Sequence, residues 1–233
     1  GVMVGLAMWF FGHWGLGALG AEQGAQHEGT TYLKASAVGM PFWAMVFAGN
    51  ASQQGAGDTT TPMMTGIVIN IANIIIAYTL INGVGAAPRL NVLGSGAGFT
   101  GAAIIGCVLV LTVLAVRRDG LHWSPRGAFS LDLADARRVL NVGVPAGVEQ
   151  AQFNVAFMLY TRIIASLGTT ALAAHGVTLA IQSLTFNVGF ALSVATSALV
   201  GQSLGAGKPE LAERAAWLTT RYSLVFMTVM GVL

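Results

Sequence analysis

Long runs of residues without a single charge constrain this chain more than any other feature of its sequence. The five longest such runs lie at 1–21, 35–57, 59–88, 90–116 and 163–207. A spanning helix needs about 20 apolar residues, so each run is long enough to cross a bilayer. Only helices and closed barrels satisfy their backbone polar groups in lipid, and the alternating pattern of barrel strands is missing. The sequence therefore predicts an all-α integral membrane protein.

The composition excludes several other classes of protein. Only 9% of the residues are charged, whereas soluble domains carry about a quarter. The net charge of +2 comes from dispersed basic residues that form no stripe, which argues against nucleic-acid binding. The single cysteine, Cys107, excludes a disulfide framework, and neither His13 nor His175 has a neighbour at metal-ligand spacing. We expect no metal, no cofactor, no nucleophilic catalysis and therefore no enzyme.

Glycine, proline and charged residues divide the chain into about seven transmembrane helices. The run at 163–207 is too long for one helix of normal tilt, so we divide it in the small, polar segment 166–176. The longest polar stretch, 117–138, is predicted to be a linker between two helical bundles. The predicted spans are 1–19, 32–55, 61–83, 97–116, 139–167, 172–204 and 214–233.

The distribution of basic residues predicts the orientation in the membrane. Loops on the cytoplasmic side of membrane proteins carry an excess of Lys and Arg. Alternate loops place two basic residues, Lys34 and Arg89, on one side. The other side receives Arg117, Arg118, Arg126, Arg137, Arg138, Lys208, Arg214 and Arg221. We therefore expect the linker at 117–138 to lie in the cytoplasm.

Polar residues halfway along apolar helices are the candidate binding residues, because burying them in lipid is costly. Glu149 is the only acidic residue inside a predicted span and lies roughly 16 Å from the basic pair Arg137 and Arg138, near the midplane. It could bind a cation or a proton, or it could be a neutral, hydrogen-bonded structural residue. Arg162 lies about 140° around the helix from Glu149 and cannot pair with it.

Side-chain amides form a second group of candidates. Asn70 and Asn73 are one turn apart on an otherwise apolar helix and could coordinate a cation together. Gln150, Asn154 and Gln182 could extend the same polar lining. Hydrogen bonds between helices would explain the asparagines equally well and would explain the other three amides more often than not.

Three segments resemble the multidrug and toxic compound extrusion (MATE) family. YLKASAVGMPFWAMVFAGNASQQGAGDTTTPMM, at 32–64, is similar to its fourth and fifth helices. VGVPAGVEQAQFNVAFMLYTRIIASLGTTALAAHGV, at 142–177, and ALVGQSLGAGKPELAERAA, at 198–216, resemble the first two helices of a lobe. The resemblance implies helices three to nine of a protein with two six-helix lobes, truncated at both ends. The expected domains are an N-terminal lobe at 1–116, the linker at 117–138 and the start of the C-terminal lobe at 139–233.

The function implied by the resemblance is secondary active export of organic cations or drugs, in exchange for sodium ions or protons, by alternating access. A lipid-linked precursor flippase of the same superfamily and a non-transporting membrane scaffold are the alternatives. The implied partners are a cationic, amphipathic small molecule and the lipid bilayer. We expect a monomer in the cell inner (plasma) membrane.

The resemblance extends to a few individual residues. Asn70 and Asn73 match polar positions of the fifth helix that line the N-lobe pocket of the family. One branch of the family carries an acid about two turns after the proline of its seventh helix, where this chain has Phe153; Glu149 lies only four residues after Pro145. The coupling ion therefore stays open between sodium and proton. Asp58, in the turn before the fifth helix, is expected to be a helix cap.

Overall fold

The computed structural model describes residues 1–18, 23–85, 88–116 and 133–232. These residues form eight α-helices and no strand, which confirms the predicted all-α fold. The helices are α1 (Val2–Ala18), α2 (Gln23–Ala37), α3 (Met40–Gly55), α4 (Thr60–Asn82), α5 (Val92–Val116), α6 (Leu133–Ala165), α7 (Thr169–Gly205) and α8 (Pro209–Val232).

Three helices are long and apolar enough to cross a membrane on their own. They lie at Thr60–Asn82, Val92–Val116 and Thr170–Gly205. Helix α1 is also apolar, although it is shorter than a full span. The chain is part of a multi-pass membrane protein.

The chain forms two compact units, Gly1–Trp123 and Ser124–Leu233. Their boundary falls between α5 and α6, in a segment of the predicted linker that lies outside the described residues. Residues 133–138, which we assigned to the linker, already belong to α6. The first unit contains α1–α5 and the second contains α6–α8.

Helix α5 is the centre of the first unit and packs against α2, α3 and α4. Glycines allow this close approach. A Cβ atom added at Gly98 would lie 2.8 Å from Ala77 Cα of α4, and one at Gly96 would lie 2.9 Å from the carbonyl oxygen of Tyr32 in α2. The space between α3, α4 and α5 is filled by Val46, Ile69, Ala102, Cys107 and Val110.

The predicted span at 32–55 is two helices rather than one. Helix α2 ends at Ala37 and α3 begins at Met40. Pro41 lacks the N–H that would bond to the carbonyl of Ala37, so one continuous helix loses a hydrogen bond at this point. Thr100 of α5 donates a 2.7 Å hydrogen bond to the carbonyl of Ala35 and holds the end of α2.

Local capping interactions define the ends of α4. Oδ1 of Asp58 accepts hydrogen bonds of 3.1 Å from the backbone N–H groups of Thr60 and Thr61, which confirms Asp58 as a helix cap. Gly83 ends α4 in the left-handed conformation, with φ of 69°. A side chain at this position would strain the backbone.

In the second unit, the chain turns back at 166–168, within the segment predicted for the turn. Helix α7 begins at Thr169, slightly earlier than expected, and its 37 residues extend roughly 55 Å. This length exceeds the hydrocarbon core of about 30 Å, so α7 protrudes from the membrane or is strongly tilted. Helix α7 also packs against α8.

The close packing of α5 on α4 gives the first prediction. Gly98→Ala forces a methyl group against the α4 backbone, which cannot move aside as a flexible side chain can. We expect a loss of about 1–3 kcal/mol in the free energy of unfolding, seen as a drop in Tm of about 2–10 °C in detergent.

Gly66→Ala is the matched control. No atom lies within 4 Å of a Cβ added at Gly66 in α4, and alanine is the better helix former. Its Tm should equal or slightly exceed that of the wild type. Equal Tm values for the two variants would contradict the close packing.

Candidate functional site

A groove of about 750 Å³ between α6 and α7 is the strongest candidate binding site in the second unit. Its size is that of a typical small-molecule pocket. Helix α6 contributes Gln150, Phe153 and Phe157. Helix α7 contributes Leu179, Gln182, Ser183, Phe186, Asn187 and Phe190.

Helical periodicity explains why these residues share one groove. In α6 the lining residues are three and four positions apart, and in α7 they recur at similar intervals, so each set forms a stripe along one helix face. Tyr160 and His175 fix the antiparallel register at the end nearest the turn. Their rings meet edge to face, with centroids 5.2 Å apart and planes at 79°.

The chemistry of the groove is aromatic and amide-rich. Four phenylalanine rings and three side-chain amides line it, and none of the lining residues carries a charge. The face of an aromatic ring attracts cations, and amide oxygens accept hydrogen bonds or coordinate positive charge. The groove can therefore hold a flat apolar body together with a positively charged or hydrogen-bonding group.

Two of the predicted site residues, Gln150 and Gln182, lie together in this groove. Glu149 and Asn154 do not line it. At about 100° per residue, they lie on opposite sides of the stripe formed by Gln150 and Phe157 and therefore flank the groove along α6. Both side chains are exposed.

Asn70 and Asn73 belong to the first unit, on α4. Asn70 is exposed, and its Nδ2 donates a 2.9 Å hydrogen bond to the carbonyl of Gly66, which leaves the amide oxygen as a further acceptor. Asn73 is half-buried and follows Ala72, which packs against the core. Asn70 and Asn73 thus belong to the first unit, whereas Gln150 and Gln182 belong to the second.

The phenylalanines that line the candidate site were missed by sequence reasoning, as were Ser183 and Asn187. Phe153 stands at the position that carries an acid in one branch of the MATE family, and it lines the groove beside Gln150. Phe157, Phe186 and Phe190 complete the aromatic wall. The spacing of Phe153 and Phe157 relative to Gln150 was the available signal, because residues at this spacing share a helix face.

A second groove, of about 660 Å³, lies between α7 and α8 and has a different chemistry. Hydroxyl groups dominate its lining, and no aromatic ring takes part. Several of these hydroxyls donate to the carbonyl four residues earlier, as Thr196 does to Leu192 and Thr219 does to Ala215. Because they are already partnered in this way, they offer a ligand less than the amides of the α6–α7 groove.

Within the described ranges, no three His, Cys, Asp or Glu side chains lie close enough together to hold a metal ion. The groove between α6 and α7 is uncharged and is flanked by the carboxylate of Glu149.

The sequence model of the MatE family matches residues 1–79 and 145–233, which together are more than half of the chain and include every residue of the α6–α7 groove. The chain belongs to the MatE family. The predicted family is therefore confirmed.

Individual relatives within the MatE family are similar over most of this chain. A probable multidrug resistance protein NorM of Rhodopseudomonas palustris is 30% identical over 93% of the chain and 46% of its own length. A protein of the same name from Thermotoga maritima is 28% identical over 87% of the chain and 43% of its own length. A FAD transporter of Shewanella oneidensis is 28% identical over 83% of the chain and 42% of its own length. The chain thus spans less than half the length of these relatives.

The register of α6 against α7 gives the second prediction. In a Cys107→Ala background, Tyr160→Cys and His175→Cys should be joined by a short bifunctional thiol reagent, because the two rings are in contact. The measurement is an electrophoretic shift after cleavage of the chain between α6 and α7. In the control pair, His175→Cys is combined with Arg162→Cys, which lies about 200° around α6 from Tyr160. Equal cross-linking of both pairs would contradict the register.

Proposed function

We propose that this chain is part of a secondary active transporter that exports organic cations or similar drugs, in exchange for sodium ions or protons, by alternating access. The observation that carries the proposal is the groove of phenylalanine rings and amides between α6 and α7. Membership in the MatE family, with relatives named as multidrug resistance proteins, supports it. The transporter is proposed to be a monomer in the inner (plasma) membrane, with the linker at 117–138 in the cytoplasm.

The lining of the groove favours cationic, amphipathic substrates. A cation that lies against the face of an aromatic ring is stabilised by about 0.5–2 kcal/mol of interaction free energy, and this stabilisation is larger where water is excluded. Glu149, flanking the groove, adds a negative charge near the bound molecule. The apolar parts of a substrate would contact Leu179 and the phenylalanine rings.

The same lining argues against two other substrates. FAD and lipid-linked precursors carry phosphate groups, and proteins bind phosphates with Arg, Lys or clusters of backbone N–H groups. None of the residues lining the α6–α7 groove is basic. Arg162 lies on the opposite side of α6 from Phe157, at about 140°. We therefore favour cations over phosphorylated substrates, although one relative is named as a FAD transporter.

The coupling ion is proposed to bind among the predicted oxygen ligands. Amide and carboxylate oxygens suit a sodium ion, and a carboxylate at membrane depth also suits a proton. Asn70 and Asn73 in the first unit and Glu149 in the second are the candidates. In this scheme the two units move relative to each other during transport, as the lobes of rocking-type transporters do.

The aromatic wall gives the third prediction. Phe157→Ala removes one ring from the groove and should weaken binding of ethidium, a flat organic cation, by about 3- to 30-fold. Cells that express the full-length variant should lose most of their ethidium resistance at an unchanged expression level. Phe47→Ala is the control, because Phe47 is an exposed phenylalanine of α3 outside the groove. Wild-type resistance in Phe157→Ala would contradict the assignment of the groove.

The proposed ion ligands give the fourth prediction. In proteoliposomes, an imposed sodium or pH gradient should drive ethidium transport by the full-length protein. Glu149→Gln and Asn73→Ala should each lower that rate about tenfold or more, because each removes an ion ligand at membrane depth.

The controls for these variants are Glu210→Gln, in the first turn of α8, and Asn82→Ala, at the end of α4. Asn82 lies on the same helix as Asn73, so the general effect of replacing an asparagine of α4 by alanine is matched. Normal transport rates in both Glu149→Gln and Asn73→Ala would contradict the assignment of these residues as ion ligands. The assignment of the α6–α7 groove as the substrate site would not be affected.

A further inference from the structure

Helix α8 carries an exposed stripe of charged and aromatic side chains along its first half. A groove of about 530 Å³ follows this stripe, and all of its lining residues belong to α8: Glu210, Leu211, Glu213, Arg214, Trp217, Leu218 and Arg221. Ala216 and Thr219 line the separate groove toward α7. Ala216 lies about 200° around the helix from Arg214, and Thr219 lies as far from Trp217. The stripe therefore faces away from α7.

The two arginines of this stripe are not neutralised within the described part of the chain. Both side chains are exposed. The ion pair among the described residues joins Arg138 to Asp135, and Glu210 does not pair with Arg214 although it lies one turn before it. A guanidinium group presents five N–H donors in a planar fork that matches a phosphate group. Two such unpaired groups on one stripe suit a phosphate-bearing anion.

Trp217 and Arg221 place the stripe at the surface of the membrane. Trp217 is 64% exposed, and exposed tryptophans of membrane proteins concentrate at the level of the lipid headgroups. Arg221 is the last charged residue of α8, since the segment from Tyr222 to Val232 carries no charge. An arginine at such a boundary keeps its apolar stem in the lipid and extends its charged end to the interface.

The direction of helical side chains brings the two arginines to one level. The Cα–Cβ bonds of a helix tilt toward its first residue, so the long side chain of Arg221 extends back toward Trp217. Along the axis, Cα of Arg221 lies roughly 6 Å on the apolar side of Trp217, and Cα of Arg214 lies roughly 5 Å on its aqueous side. All three residues lie within about 60° around the helix. They can therefore contact one headgroup together.

The acidic residues of the stripe lie on its aqueous side. Glu210 precedes Trp217 by roughly 10 Å along the axis and Glu213 by roughly 6 Å, and both side chains extend further away from the apolar segment. Carboxylates in the first turn of a helix are stabilised by its dipole. Lys208, Arg214 and Arg221 together outnumber the two acids, so the net charge of this end of α8 is positive.

We propose that Arg214, Trp217 and Arg221 bind the headgroup of an anionic phospholipid. The exposed side chain of Leu218 and the apolar remainder of α8 contact the acyl chains. A soluble phosphate ion would leave this apolar surface and the ring of Trp217 unused, which favours a lipid. Helix α8 begins on the same side as the linker at 117–138, so the proposed orientation assigns the lipid to the cytoplasmic leaflet, where anionic lipids attract basic segments. The site does not depend on which substrate is transported.

The test measures the lipids that the full-length protein retains. The protein is incubated in detergent with equal amounts of phosphatidylglycerol and phosphatidylcholine of identical acyl chains and is then repurified, and its bound lipids are quantified by mass spectrometry. The wild type should prefer phosphatidylglycerol by roughly 10- to 25-fold, because each arginine near a headgroup contributes about fivefold. Arg221→Gln should lower the preference about fivefold, and combining it with Arg214→Gln should abolish it.

Three controls separate this site from a general effect of charge. Arg221→Lys keeps the positive charge and should retain most of the preference, since lysine also binds phosphate. Arg137→Gln removes an exposed basic residue at the beginning of α6 and should behave as the wild type does. A large excess of inorganic phosphate should not displace the retained phosphatidylglycerol, because the acyl chains contribute to binding.

Equal retention of the two lipids by the wild type would overturn the inference. A wild-type preference in the variant that lacks both arginines would overturn it too, and would mean that another part of the full-length protein covers this face or that the lipid binds elsewhere. Displacement by inorganic phosphate would assign the arginines to a soluble anion. An equal loss in Arg137→Gln and Arg221→Gln would show that overall charge alone attracts the lipid.

Discussion

The hydrogen-bonding demand of the peptide backbone in lipid is the constraint on which this structure depends. A helix satisfies that demand within a single segment, so the charge-free runs fold as helices. Polar side chains inside these helices are subject to the same rule. Thr79, Thr112 and Thr196 each donate a 2.7 Å hydrogen bond to the carbonyl four residues earlier. Many hydroxyl groups in the helices are therefore locally partnered and compatible with an apolar surrounding.

In the second unit, two kinds of polar residue stand apart from this local pairing. Gln150 and Gln182 lie in a groove among phenylalanine rings, and His175 has a buried nitrogen without a partner among the described residues. Apolar side chains would cost less at these positions if only stability mattered. Under the proposed function, a bound substrate would supply hydrogen-bond partners to Gln150 and Gln182, which connects the backbone constraint to the proposed transport site.

The fold class and most helix positions could be predicted from the sequence, because the length of an apolar run and the position of its charges directly reflect membrane thickness. The break between α2 and α3 could not be located in this way. Composition is apolar on both sides of Pro41, and the decisive interaction is the contact of Thr100 with a carbonyl of α2. Such a contact depends on which helices become neighbours. The start of α2 at Gln23, in a polar segment, was missed for a similar reason, since α2 packs against α1 and α5.

Of the residues that line the candidate site, the sequence analysis named only Gln150 and Gln182, and it missed Ser183 and Asn187 as well as the phenylalanine rings. Gln150 and Gln182 stood out because amides are rare in apolar helices, whereas phenylalanines are common there and only their spacing from Gln150 marks Phe153 and Phe157. Only the pairing of α6 with α7 turns Phe153, Phe157 and Phe186 into one wall.

A groove of this composition distinguishes ligands by the sign of their charge and by flatness more than by detailed shape. Rings accept any flat apolar body, and a glutamine amide can present either its donor or its acceptor. Such a groove suits flat, cationic organic molecules of varied shape, as the proposed transport function requires.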